Sequence, residues 1–239
     1  MTSEKRPDNK KIRIISMNPS LKNEPKIRSW MKLVETAGCT IKKIAPLSVV
    51  HKKNGDLLFA LLDTDIRSPE GHALPHIVFI RGDACLIVTL VRNRATGEER
   101  FLMVRQRRVG NGSASLEFPA GMLDTEVDDP AGVAARELAE ETGIKAAAGD
   151  LFPLCDTKLF SSVGASDEGI YYFGCIREVD DAAWRSLAAG RPGGNPAEEE
   201  HISAVLVSRK EAEREATSLQ VRLGFHLFEI YRKKNRTNR

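Results

Sequence analysis

The stretch Gly121–Ile144, GMLDTEVDDPAGVAARELAEETGI, limits what this chain can fold into more than any other, because it crowds glutamates onto one turn of a helix. Asp129-Pro130 predicts the helix start. An aspartate can accept the free N–H groups of a first turn, and a following proline lacks an N–H and has its φ already set. Gly143 predicts the stop, since glycine takes the left-handed cap conformation without a steric penalty. At about 100° per residue, Ala131, Ala134, Ala135, Leu138, Ala139 and Thr142 share one face, and Glu137, Glu140 and Glu141 share the opposite one. Acids at such spacings repel one another, and Arg136 balances only Glu140, which lies one turn ahead of it. Hard oxygen ligands arranged in this way suit Mg²⁺ or Mn²⁺. The competing reading is a solvated acidic face.

Composition narrows the classes. With 239 residues and 41% hydrophobic content, the chain can bury a full core. A net charge of +3 argues against a dedicated nucleic-acid binder, and no apolar run is long enough for a membrane span. The leading segment MTSEKRPDNKKIRI carries both signs of charge and no apolar core, so it does not read as a secretory signal. Cys39, Cys85, Cys155 and Cys175 are far apart and form no CxxC pair, which fits reduced thiols and a cytoplasmic setting.

Along the chain, Lys11–Ser16 alternates like a short strand. Glu24-Pro25 opens a helix with Ile27, Trp30, Met31 and Val34 at helical spacing and Gly38 as its stop. Trp30 on that stripe reads as core. Residues 39–66 alternate on both sides of Lys53-Asn54-Gly55-Asp56, a hairpin signal. These features define an N-terminal helix and antiparallel β element over residues 1–75, read as a dimerisation unit, ahead of a main domain at 76–235. In the main domain, 77–91 reads as a long strand interrupted at Arg81-Gly82-Asp83, and 100–106 as its partner. Strands follow at 154–160 and 170–176, with a polar, flexible loop between them. A surface loop at 190–200, a strand at 202–207 and one long helix from Arg209 to about Lys234 complete the order.

Arg136-Glu137-Leu138-x-Glu140-Glu141-x-Gly143-Ile144 resembles the second half of the Nudix box, G-x5-E-x7-R-E-U-x-E-E-x-G-U with U aliphatic. The first half departs from it: counted back from Arg136, the box glycine falls on Met122 and the isolated glutamate on Asp128. A one-residue insertion before the helix accounts for this and displaces Gly121. LEFPAGMLD, MVRQRRVG and the loop Ser162–Glu168 are similar to segments of the ADP-ribose and ADP-sugar diphosphatase branch, the plant-type ADP-sugar enzymes above all. Arg105 replaces an acid of that pattern, and Val163 replaces a proline. The resemblance covers residues 40–232.

It implies an α+β fold, a Nudix α/β/α sandwich with a mixed β-sheet preceded by the small antiparallel element. It also implies Mg²⁺-dependent hydrolysis of a nucleoside diphosphate sugar to a nucleoside monophosphate and a sugar phosphate, with Mn²⁺ as a substitute metal. Glu137, Glu140, Glu141 and the Ala120 carbonyl would hold metal, and Arg136 would orient the cluster by salt bridging. Glu168, between Gly164 and Gly169, is the candidate base, with Asp167 its rival. Arg81 and Arg108 are candidates for phosphate contact, because a guanidinium presents a fork of donors. Glu117 is a candidate for support near substrate and metals. The expected partner is a second copy of the chain through the N-terminal β element, with no membrane or nucleic acid. The basic tail from Arg232 reads as a solvated end. The alternatives are another nucleotide substrate, such as a dinucleoside polyphosphate or capped RNA, and a nucleotide-sensing module without catalysis.

Overall fold

A computed structural model describes residues 19–123, 129–194 and 201–237. The expected strand at 11–16 and Asp128 lie outside them. The chain divides into two compact units: residues 1–82 together with 162–168, and residues 83–161 together with 169–239.

In the first unit, α1 (Pro19–Lys22) and α2 (Pro25–Thr36) precede three antiparallel strands, β1 (Thr40–His51), β2 (Leu57–Arg67) and β3 (Ile77–Ile80), in the order β1-β2-β3. The expected turn at 53–56 forms, with Gly55 at φ 95° and the Lys52 N–H donating to the Asp56 carbonyl. α2 starts at a proline and ends before Gly38, whose φ is 79°. Its Ile27 and Trp30 pack with Ile41, Ile44, Leu62 and Ile80, so Trp30 is a core residue. Strand pairing corrects the expected boundary after residue 75. Ile77–Ile80 belongs to the first sheet, pairing Ala60–Asp63, and the positive-φ Gly82 (79°) turns the chain out of it.

The second unit is built on a mixed sheet. Its strands are β4 (Ala84–Asn93), β5 (Glu99–Arg107), β6 (Ala114–Glu117), β7 (Ala120–Met122), β8 (Phe152–Pro153), β9 (Leu159–Phe160), β10 (Gly169–Val179), β11 (Arg191–Gly193) and β12 (Ile202–Val207). The main path runs β11-β12-β5-β4-β10-β8, and among the described residues of this sheet only β4 and β10 pair in parallel. Parallel neighbours need a crossover, and α3 (Pro130–Thr142) lies within it. β4 is buried along nearly its whole length, as its apolar run requires when both faces are covered. On one face, Val133, Ala134 and Leu138 of α3 and Trp184 of α4 (Asp181–Ala188) pack on Ile87, Leu102 and Cys175. On the other, Phe225 and Phe228 of α6 (Leu219–Thr237) meet Phe101 and Phe118 edge to face. The α+β sandwich is the expected one.

Some local expectations change. The long C-terminal helix is two helices, α5 (Arg209–Glu215) and α6, because Ala216 turns extended at ψ 123° and the Ser218 hydroxyl accepts the Gln220 N–H. Such local side-chain bonds compete with helix continuation. Residues 154–158 bend between two short strands instead of forming one, and β11 occupies the start of the expected loop at 190–200.

Candidate active site

α3 begins and ends as expected, at Pro130 and at Gly143 with φ 75°, whose N–H returns to the Ala139 carbonyl. Asp129 occupies the cap position, but its carboxylate accepts no capping hydrogen bond. The helix instead takes its position from packing. Val133, Ala134, Ala135, Leu138 and Thr142 are buried, and so is Glu141, at 5% exposure. The three glutamates therefore do not share a solvated face: Glu140 is exposed, Glu137 half-buried and Glu141 inside.

β7 explains how an acid survives there. It pairs with β4, and the Ala120 N–H points 3.3 Å from Glu141 Oε2. A Cβ on Gly121 would sit 2.2 Å from the Glu137 side chain, closer than side-chain carbons approach, so only glycine lets Glu137 lie over the strand. Residues 124–128 of the loop in which the insertion is expected lie outside the described segments. Arg136 Nη2 donates to Glu137 Oε1 at 3.1 Å and its Nε lies 3.8 Å from Glu140 Oε1. With Arg136 half exposed, these pairs orient more than they stabilise.

Sequence reasoning missed Cys85, hidden in an apolar strand. Its Sγ donates to the Gly121 carbonyl at 3.6 Å, and burial, reinforced by Glu137 and Glu141, pushes the thiol up to about 12. Among the described residues, no three His, Cys, Asp or Glu side chains are drawn into ready-made metal geometry. The carboxylates of α3 and the backbone carbonyls of β7 are nonetheless hard oxygen donors, which fit Mg²⁺ or Mn²⁺ rather than a soft metal.

Arg108 and Glu117 are brought together. The Arg108 Nε lies 3.1 and 3.2 Å from the two Glu117 oxygens and Nη2 lies 2.7 Å from Oε2. This forked pair leaves Arg108 the more exposed partner, and it fixes Glu117 at the end of β6. Arg105, which replaces an acid of the family pattern, pairs with Glu215 at 2.6 Å.

Arg81, Asp167 and Glu168 fall in the first unit, because residues 162–168 join β3 there. The Phe79 N–H donates to the Ala165 carbonyl at 2.8 Å and Phe79 bridges Ser166. Asp167 accepts the Arg81 N–H at 2.8 Å and the Gly82 N–H at 3.2 Å. Glu168 Oε1 lies 3.2 Å from Arg81 Nε, and Glu168 is 8% exposed. The loop is therefore pinned rather than free-hanging, as its composition had suggested. Gly169 is not simply a flexible joint either, since a Cβ there would lie 2.5 Å from Lys158 and 2.9 Å from Asp83. That Lys158–Asp83 pair, at 2.7 Å, had no signal in the sequence because its partners are far apart along the chain.

A mixed sheet between helix layers thus carries an acid-rich helix set against a glycine-bearing strand. The NUDIX domain family matches residues 83–223, more than half of the chain and beginning where the second unit begins. Nudix hydrolase 14, chloroplastic, of Arabidopsis thaliana is 30% identical over 220 residues, 85% of this chain and 69% of that protein. An ADP-ribose pyrophosphatase of Mycobacterium tuberculosis (strain ATCC 25618 / H37Rv) is 34% identical over 124 residues, 51% of this chain and 56% of that one. A crystal structure of an ADP compounds hydrolase superposes with a TM-score of 0.53 at 19% identity, over 82% of this chain and 97% of the other, a likeness of fold. The chain belongs to the Nudix family and is a Nudix hydrolase.

Proposed function

We propose that the protein hydrolyses the diphosphate of a nucleoside diphosphate sugar, of the ADP-ribose, ADP-glucose or UDP-glucose class, in the presence of Mg²⁺ or Mn²⁺. The observation that carries this is Glu141, an acid buried at 5% exposure beside Glu137 and the glycine strand β7. Glu137, Glu140, Glu141 and the Ala120 carbonyl would hold the ion, which supplies Lewis acidity and a more acidic bound water. Arg136 keeps Glu137 and Glu140 turned together. Glu168 accepts the proton of the attacking water as its oxygen bonds to phosphorus. The bridging P–O bond breaks, and the leaving phosphate keeps the electron pair. Arg108, held on Glu117, presents its guanidinium to phosphate oxygens. The names of the relatives, an ADP-ribose pyrophosphatase among them, support the substrate class.

The test is a panel of ADP-ribose, ADP-glucose, UDP-glucose, dinucleoside polyphosphates and capped RNA, with Mg²⁺, Mn²⁺ or EDTA. Turnover of a nucleotide sugar that EDTA abolishes is the expected result; hydrolysis of none of them would overturn the reading in favour of a sensing module. The first unit is proposed as the dimer contact. β1 is a long edge strand exposing Leu47 and Val50, and unpaired edges with apolar side chains invite pairing. Leu47→Glu should then convert a dimer to a monomer in light scattering. The cytoplasmic setting is part of the same proposal and rests on four free cysteines. No helix among the described residues is long and apolar enough to cross a membrane.

A further inference from the structure

The loop that carries Glu168 belongs to the first unit. Its backbone runs beside β3 through Phe79, Ala165 and Ser166. Asp167 is spent on the amides of Arg81 and Gly82, so its carboxylate serves as a staple and leaves Glu168 the acid in question. The Arg81 guanidinium then lies against Glu168 at 3.2 Å and over the Phe59 ring at 5.8 Å. Its Nε is buried and, despite that short distance, is not angled to donate a hydrogen bond to any partner. The attraction to Glu168 is therefore one of charge and place, not of a directed bond.

We infer that Arg81 is a positioning residue for Glu168, setting where the water-activating carboxylate stands, and is not a phosphate ligand. This rests on Glu168 being the base. A buried carboxylate needs a counter-charge, and removing one partner of such a pair displaces the other. Arg81 is the counter-charge the fold supplies, fixed by β2 through Phe59 and by the Asp167 staple on its own backbone.

The experiment is steady-state hydrolysis of ADP-ribose with Mg²⁺ by R81A, R81Q, R81K, E168Q and the double variant E168Q/R81A, each checked by thermal melting. R81A is expected to lower kcat about 10- to 100-fold, the scale of a small misplacement of a reacting group, with KM nearly unchanged. R81K should recover most of that loss, because the charge and not the fork is what Glu168 meets. In the E168Q background, R81A should have almost no further effect, since residues acting through one another are non-additive. If R81A fails to fold, R81Q and R81K carry the same comparison. A rise in KM at constant kcat, an undiminished loss in the E168Q background, or no effect in either constant overturns the inference. Wild-type turnover by E168Q overturns it for a different and recognisable reason, by removing the base itself.

Discussion

Glu141 and Glu168 are both buried acids, at 5% and 8% exposure, yet they are held in opposite ways. Glu141 stands on a helix whose position is fixed by apolar neighbours within two turns and by the strand just before it. Glu168 stands on a loop whose anchors, β3 and Arg81, precede it by 86 residues or so in the chain. The difference teaches that a rigid site for charge can come from a helix and the strand just before it, whereas the place of Glu168 depends on a remote strand.

The largest expected effect is at the helix. Glu141→Gln keeps the shape and the hydrogen bond from Ala120 but loses the charge, so turnover of ADP-ribose should fall by about 10³-fold or more, several kcal/mol of barrier. Near-normal activity would mean that the buried acid is only structural. Next comes a change meant to leave both acids alone. Phe225→Ala opens a cavity beneath Phe118 on the opposite face of the sheet, and should cost about 3–5 kcal/mol in denaturant unfolding. If Mg²⁺ dependence shifts as well, α3 is less independent of that core than its packing suggests.

Gly121→Ala tests whether Glu137 owes its place to a missing Cβ. The clash at 2.2 Å must move Glu137, and the Mg²⁺ concentration for half-maximal turnover should rise about 10- to 100-fold, as for disturbed metal surroundings. Unchanged Mg²⁺ titration would uncouple β7 from the site. The smallest effect is chemical: with its thiol pushed up to about 12 by burial, Cys85 stays protonated at neutral pH. Mass mapping after N-ethylmaleimide should leave Cys85 unlabelled until denaturant is added. Labelling in the native state would mean that the floor beneath Glu137 and Glu141 opens.

Much of this was legible in the residues. Helix α3, its proline start and glycine stop, the Asn54-Gly55 turn and the apolar strand β4 follow from local periodicity and turn chemistry, which need no knowledge of the fold. The burial of Glu141 was not legible, because helical phase placed it with Glu140 and only β7 packing inverts that. Neither was the pairing of Arg108 with Glu117 or of Arg81 with Glu168: each joins residues whose separation along the chain carries no pattern. The split of the last helix at Ala216 depended on a serine hydroxyl, a signal too common to read alone.

The discontinuity of the first unit also bears on how the molecule is made. β1, β2 and β3 can pair as soon as they are synthesised, but the outer side of β3 receives its partners Ala165, Ser166 and Asp167 only later. With 86 residues between Arg81 and Asp167, a ribosome working at about 5–20 residues per second leaves that edge open for roughly 4–17 s. During this interval a growing chain offers an unpaired strand to its neighbours, and the segment that carries Glu168 is also the one that closes it.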